Sequence, residues 1–198
     1  ITYSVTFNGC TGTDTETITV NNSSDPTITA VPALCTGDAP VILTAATGGG
    51  TWSGTGVIGN TFNPATAGTG THIVTYVISG ACGSSDTETI TVNATPNATI
   101  TAAGPFCTAD APTNLNAVTG GGTWSGTGIT NASSGAFNPT VAGAGIHTIT
   151  YTVTTSGCPG TDTETITVNT TPDATITAAC PYCTSDAATN LTSATGGG

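Results

Sequence analysis

Apolar and polar positions alternate with a period of two along much of this 198-residue chain. From His147 to Val153 the odd positions hold His, Ile, Tyr and Val, whereas every even position is a threonine. Such alternation predicts an antiparallel β-strand with one buried face and one face toward solvent. Clusters of Gly, Asn, Asp and Pro separate these stretches, and no segment has helical periodicity. The pattern therefore predicts an all-β fold.

The same stretches return in order, so the chain contains an internal repeat. Thr-Gly-Gly-Gly ends at positions 50, 122 and 198, and Asp-Thr-Glu-Thr-Ile-Thr-Val ends at positions 20, 92 and 168. The repeat length is thus 72–76 residues, which suits a compact sandwich of about seven short strands. We predict four segments: 1–21 (back half of a repeat, strands F–G), 26–94 and 98–170 (complete repeats), and 172–198 (front half, strands A–B).

Half-repeats at both ends and the lack of an initiator Met lead us to expect a longer parent polypeptide. Strands are predicted in the first complete repeat at 27–31 (A), 41–46 (B), 51–53 (C), 57–62 (a short D/E region), 71–78 (F) and 86–93 (G). Small repeats need large core side chains. We expect structural roles for three residues in each complete repeat: Trp52, Tyr76 and His72 in the first, and Trp124, Tyr151 and His147 in the second.

Charge narrows the classes of function. The chain has no Lys or Arg against eleven Asp and Glu, for a net charge of −11. It therefore lacks the cationic surface that nucleic acids and anionic membranes require. No apolar run approaches the ~20 residues that span a bilayer. We expect no nucleic-acid partner, no membrane span and no enzymatic activity.

The ordered motifs also carry a family resemblance. Gly48–Thr55, Phe62-Asn63-Pro64, Thr75-Tyr76 and Thr89–Val92 have counterparts around Trp124, Phe137, Pro139, Tyr151 and Cys158. This set resembles the Ig-like or PKD-like tandem repeats of giant surface proteins of gliding Bacteroidota, which the type IX secretion system exports. The resemblance covers the whole chain. It implies immunoglobulin-like β-sandwiches, a cell-surface location, a stalk or filament architecture, and no catalytic residues.

Six of the seven cysteines occupy two registers: Cys35, Cys107 and Cys183 follow strand A, and Cys10, Cys82 and Cys158 follow strand F. Regular placement in a secreted chain predicts structural disulfides. Two pairings stay open: within repeats, as Cys35–Cys82 and Cys107–Cys158, or between repeats, as Cys35–Cys158. End-to-end stacking would bring the A–B loop of one copy to the F–G loop of the next, which slightly favours the second pairing.

The seventh cysteine lies in Cys180-Pro181-Tyr182-Cys183, which looks like the dithiol of glutaredoxins. That chemistry needs the first thiol at a helix N-terminus, and a strand and turn pattern follows instead. We therefore interpret Cys180 as an additional cysteine that could bond a neighbouring chain.

The recurring acidic residues have two possible roles. Asp38 lies in the A–B turn, and Asp162 and Glu164 begin strand G. Turn formation and capping is the first reading. Calcium held by Asp38, Asp162 and Glu164 at the joints between repeats is the second, because Ca²⁺ takes carboxylate oxygens. No other cofactor is expected.

Together these observations predict a non-enzymatic, extracellular segment of a giant bacterial surface protein, forming a rod or multi-chain filament for adhesion, gliding or prey capture. Its expected partners are neighbouring copies of the same protein, with cell-surface glycans or prey surfaces bound through other regions. Ligand-binding adhesin modules and spacer repeats of a secreted enzyme are the alternatives. Ligand-binding modules should differ in their loops, yet the loops at 48–56 and 120–128 have the same sequence.

Overall fold

The computed structural model describes residues 1–176, 181, 183–188 and 190, and the chain divides into two compact units, Ile1–Ala94 and Thr95–Gly198. The described residues are nearly all in strands and loops, which confirms the predicted all-β class. Most of the predicted front half-repeat at 172–198 lies outside the described residues.

The first unit opens with a hairpin of β1 (Thr2–Phe7) and β2 (Cys10–Thr15). Its strands pair antiparallel from Thr2↔Thr15 to Phe7↔Cys10. Asn8 and Gly9 form the turn with φ of 49° and 81°, the left-handed conformation of both central residues that a tight hairpin turn requires.

The first complete repeat, hereafter the first repeat, has seven strands and one short helix. They are β3 (Leu34–Cys35), β4 (Val41–Ile42), β5 (Thr51–Ser53), β6 (Val57–Ile58), β7 (Thr61–Phe62), α1 (Pro64–Ala67), β8 (Gly70–Ile78) and β9 (Ser84–Asn93). One sheet has the strand order β3-β9-β8-β5 and the other β4-β7-β6. Strand β3 runs parallel to β9, and the other pairs are antiparallel.

The second complete repeat, hereafter the second repeat, has the same elements in the same order. They are β10 (Phe106–Cys107), β11 (Thr113–Asn114), β12 (Thr123–Gly126), β13 (Ile129–Asn131), β14 (Ala136–Phe137), α2 (Pro139–Ala142), β15 (Gly145–Thr155) and β16 (Cys158–Asn169). Its sheets have the orders β10-β16-β15-β12 and β11-β14-β13.

Each repeat has its own apolar core, supplied by the inward positions of the alternating strands. On β8, Val74 and Tyr76 are buried, whereas Ile73 on the opposite face is 63% exposed. The two cores contain equivalent large side chains: Leu43, Phe62, Val74, Tyr76 and Ile90 in the first repeat, and Leu115, Phe137, Ile149, Tyr151 and Ile166 in the second. Burying each contributes about 1.5–3 kcal/mol.

Three local predictions differ from the structure. Strand B, expected at 41–46, is regular only over Val41–Ile42. Strand A, expected at 27–31, is reduced to the single bridge Ile28↔Ala45, and regular pairing starts only at Leu34. Pro32 intervenes, and proline has no N–H for a ladder. The pattern also missed α1 and α2, because four residues are too few for helical periodicity. Asn63 caps α1 by accepting from the N–H groups of Ala65 and Thr66, with proline at the first helical position.

Candidate functional site

The recurring tyrosine of each repeat binds a glycine-rich loop to the core. The Tyr76 hydroxyl donates to the Thr47 carbonyl over 2.8 Å and accepts from the Gly50 N–H over 2.7 Å. Tyr151 makes the same bonds to Thr119 and Gly122, at 2.7 and 2.8 Å.

A tryptophan packs against each of these tyrosines. The ring centroids lie 4.4 Å apart for Trp52–Tyr76 and 4.5 Å apart for Trp124–Tyr151. The ring planes of both pairs are tilted, by 37° and 41°. Tilted aromatic pairs stabilise a fold by more than the burial of their apolar area alone. The aromatic pair and the loop therefore form one rigid corner in each repeat.

The histidines close the turn that follows each short helix. His72 Nε2 lies 2.9 Å from the Gly68 carbonyl, and His147 Nε2 lies 2.9 Å from the Gly143 carbonyl. Because a carbonyl only accepts, the ring nitrogen carries the proton in each bond. Each imidazole thus holds the turn against the first residues of β8 or β15.

The recurring aspartates bind backbone N–H groups. Asp86 Oδ2 accepts from Ile28 and Asp162 Oδ2 accepts from Ile100, both over 2.8 Å. These bonds fasten the start of each repeat to its last strand. In the turn after strand A, Asp38 Oδ2 accepts from the Cys35 N–H over 2.7 Å, as Asp110 and Asp186 do from Cys107 and Cys183.

These bonds bear on the calcium residues. Asp38 and Asp162 each use a carboxylate oxygen on a backbone donor, and Glu164 lies on β16 opposite Ile149. Within the described part of the chain, no group of three or more His, Cys, Asp or Glu side chains is placed to hold a metal ion. Calcium at the joints stays a prediction.

Sequence reasoning missed the residue that immediately precedes each complete repeat. Asp25 Oδ1 accepts from the N–H and the hydroxyl of Thr27, at 3.0 and 2.6 Å. The Thr27 hydroxyl, followed by its N–H, holds the pKa of Asp25 below its usual value, and Thr175 does the same for Asp173. In the second repeat, Asn97 makes the equivalent bonds to Thr99 without a charge. The Asp/Asn-x-Thr spacing was the available signal.

The cysteines divide into bonded and free. Cys35 and Cys158 are disulfide-bonded, and Cys10, Cys82, Cys107 and Cys183 are free thiols. Cys180 lies outside the described residues, so the Cys-Pro-Tyr-Cys interpretation does too.

The within-repeat pairing, Cys35–Cys82 with Cys107–Cys158, is not formed. Cys35 lies beside Asn93 at the end of β9, and Cys82 precedes Ser84 at its start. Ten residues of strand separate the two thiols by about 30 Å. A disulfide requires Cα atoms within about 7 Å.

The two repeats differ beside their tryptophans. In the first, Trp52 is partly exposed and lines a cavity of about 620 Å³ with Gly48–Gly50, Thr51, Gly59 and Asn60. In the second, the segment from β13 through β14 is three residues longer than the segment from β6 through β7, and Trp124 is only 5% exposed. The backbone N–H of Trp124 donates to the Ala132 carbonyl over 2.8 Å, and a Cβ on Gly135 would lie 2.8 Å from the indole nitrogen of Trp124. The longer loop therefore covers the second tryptophan.

No protein-family model matches the chain, and no curated protein matches it either. Among the described residues, no helix has the length and apolar character needed to cross a bilayer.

Proposed function

We propose that this chain is a structural segment of an extracellular bacterial surface protein, in which tandem Ig-like repeats form a rod or multi-chain filament for adhesion, gliding or prey capture. The segment has no enzymatic role in this proposal and needs no cofactor. Its partners are neighbouring copies of the same protein.

One observation carries the proposal: the polar residues that recur from repeat to repeat bind groups of their own repeat. Tyr76, His72 and Asp86 each bind a backbone group within the first repeat, and their equivalents do so within the second. Residues retained for catalysis or ligand binding would instead leave polar atoms open toward a pocket. The repeated chemistry is therefore that of stabilisation, as a mechanical array requires.

The disulfide adds a second line of support. Cys35 and Cys158 are bonded, and four of the other five cysteines are thiols. The between-repeat pairing Cys35–Cys158, which end-to-end stacking of the repeats favours, is therefore part of this proposal. Disulfides also persist chiefly in oxidising, extracellular compartments.

Electron cryo-microscopy of the native assembly, at a resolution that shows sulfur density, tests the proposal. We expect the repeats along a surface fibre, with continuous density between Cys35 and Cys158. Loosely linked repeats without this density would contradict a rod in which disulfides join neighbouring repeats. Finding the segment beside a catalytic domain would favour the spacer alternative.

A further inference from the structure

We propose that the cavity of the first repeat binds a neutral saccharide, with the Trp52 indole as the surface against which a sugar ring stacks. This inference goes beyond the structural role and does not depend on it. It makes the first repeat a ligand-binding module and leaves the second as a scaffold.

The size and position of the cavity fit a small ligand. Its volume of about 620 Å³ lies within the ~300–1,000 Å³ of small-molecule sites. Three loops surround it, at 43–45, 48–52 and 59–60, with the Tyr76 ring beneath. The site therefore lies where loops of one rigid β unit converge.

The cavity offers an apolar surface beside hydrogen-bonding groups. Trp52 is partly exposed, and its ring is held by Tyr76, whose hydroxyl is fixed by Thr47 and Gly50. Gly48 and Gly49 have no side chains to shield their peptide groups, and Thr51 and Asn60 add exposed polar side chains. A pyranose has the matching chemistry, with an apolar C–H face and a rim of hydroxyl groups. Because the aromatic pair is already ordered, little side-chain entropy is lost on binding.

Charge selects the class of sugar. None of the residues that line the cavity is charged, and the chain carries −11 with no Lys or Arg. Carboxylate or sulfate groups on a glycan would find no cation and would be repelled by the chain. The ligand is therefore an uncharged hexose or N-acetylhexosamine unit.

The second repeat supplies an internal contrast. Gly135, which immediately precedes β14, is the equivalent of Asn60, which immediately precedes β7. The Gly135 carbonyl accepts from the Leu115 N–H, as the Asn60 carbonyl accepts from the Leu43 N–H. Asn60 is exposed, whereas Gly135 is buried against the Trp124 indole. The three-residue difference in loop length therefore decides whether a sugar ring can reach the tryptophan.

Titration of the full chain with maltotriose, cellotriose and tri-N-acetylchitotriose, one at a time, tests the inference. Two-dimensional NMR would follow the two indole N–H resonances. We expect at least one sugar to shift the Trp52 resonance with a Kd of about 1 mM, while the Trp124 resonance stays in place. A glucuronic-acid trimer should leave both unchanged.

Two variants serve as controls. Insertion of Ala-Ser-Ser between Gly59 and Asn60 gives the first repeat the loop length of the second and should abolish the Trp52 shift without unfolding the repeat. Trp52→Phe keeps an aromatic ring on Tyr76 and should weaken binding, followed through the Asn60 amide. The inference is overturned if no neutral sugar shifts the Trp52 resonance, if the Trp124 resonance shifts equally, or if the insertion variant binds like the parent. It is also overturned if tetramethylammonium, a cation that binds aromatic rings, produces the same shift alone.

Discussion

The two repeats share the contacts that hold a repeat together and differ at surface positions. Both have a buried phenylalanine, a tyrosine bonded to a glycine-rich loop, and an aspartate bound to the backbone near the start of the repeat. They differ in the loop beside the tryptophan and in the residue that immediately precedes the repeat. What recurs is therefore stabilisation, and what varies is surface chemistry.

The β1–β2 hairpin extends this comparison, because its strands have the sequence of strands F and G but form a two-stranded sheet. Tyr3 corresponds to Tyr151 but is 69% exposed, against 2%. The same residue types are therefore buried where they face a second sheet and exposed in the two-stranded hairpin, which serves as a matched control.

The largest effect should come from the phenylalanine at the centre of each core. Phe62→Ala and Phe137→Ala remove side chains that are 0% exposed, and each should lower the free energy of unfolding by about 3–5 kcal/mol in its own repeat. Denaturant unfolding, followed by tryptophan fluorescence in variants that keep only Trp52 or only Trp124, would measure each loss. Phe7→Ala, at 76% exposure, should cost less than about 0.5 kcal/mol. Similar losses at all three positions would contradict the comparison.

The aspartate of strand G should rank second. Asp162→Ala leaves the Ile100 N–H without its carboxylate partner, and we expect a loss of about 1.5–3 kcal/mol. Asp14→Ala is the control, because Asp14 accepts from the adjacent Thr15 N–H in the hairpin. The same samples test the metal hypothesis: a melting temperature that rises with calcium in the parent protein, and not in the Asp162→Ala variant, would support calcium over capping.

The tyrosine hydroxyl should matter less. Tyr151→Phe keeps the ring and removes the bonds to Thr119 and Gly122, so we expect a loss of about 1 kcal/mol. Tyr76→Phe should behave alike in the first repeat, and Tyr3→Phe should be neutral. A neutral Tyr151→Phe would mean that the loop is held by other contacts.

The smallest effect is a difference in acid stability. Bonds from Thr27 lower the pKa of Asp25 in the folded state, so its contribution is present above the unfolded-state pKa and is lost as the pH falls through the folded one. Asn97 does not titrate and makes the equivalent bonds. Asp25→Asn should therefore flatten the acid dependence of the first repeat near pH ~4 and below and leave the second unchanged. An unchanged acid transition in the first repeat would count against this role.

Alternation and repetition were enough to predict the fold class, because the buried positions of β8 and β15 follow a period of two. The immunoglobulin-like identity remains a prediction. Short elements could not be predicted from the sequence. Helix α1 has only four residues, and the backbone at Ile28 is held by the carboxylate of Asp86 on β9, which is 58 residues away. The cavity could not be predicted either, because the stretches at 48–56 and 120–128 are identical in sequence and do not indicate that the following loop decides the exposure of Trp52.

Single-molecule force extension of the oxidised and reduced chain, pulled by its two ends, is the most direct test of a structural segment whose repeats are joined by a disulfide. With Cys35 bonded to Cys158, about 120 residue steps stay shielded from force, and reduction should add about 400 Å of extension at ~3.3–3.6 Å per residue. The same increase should appear in the Cys158→Ser variant without reductant. Equal extension in the oxidised and reduced chains would contradict the account.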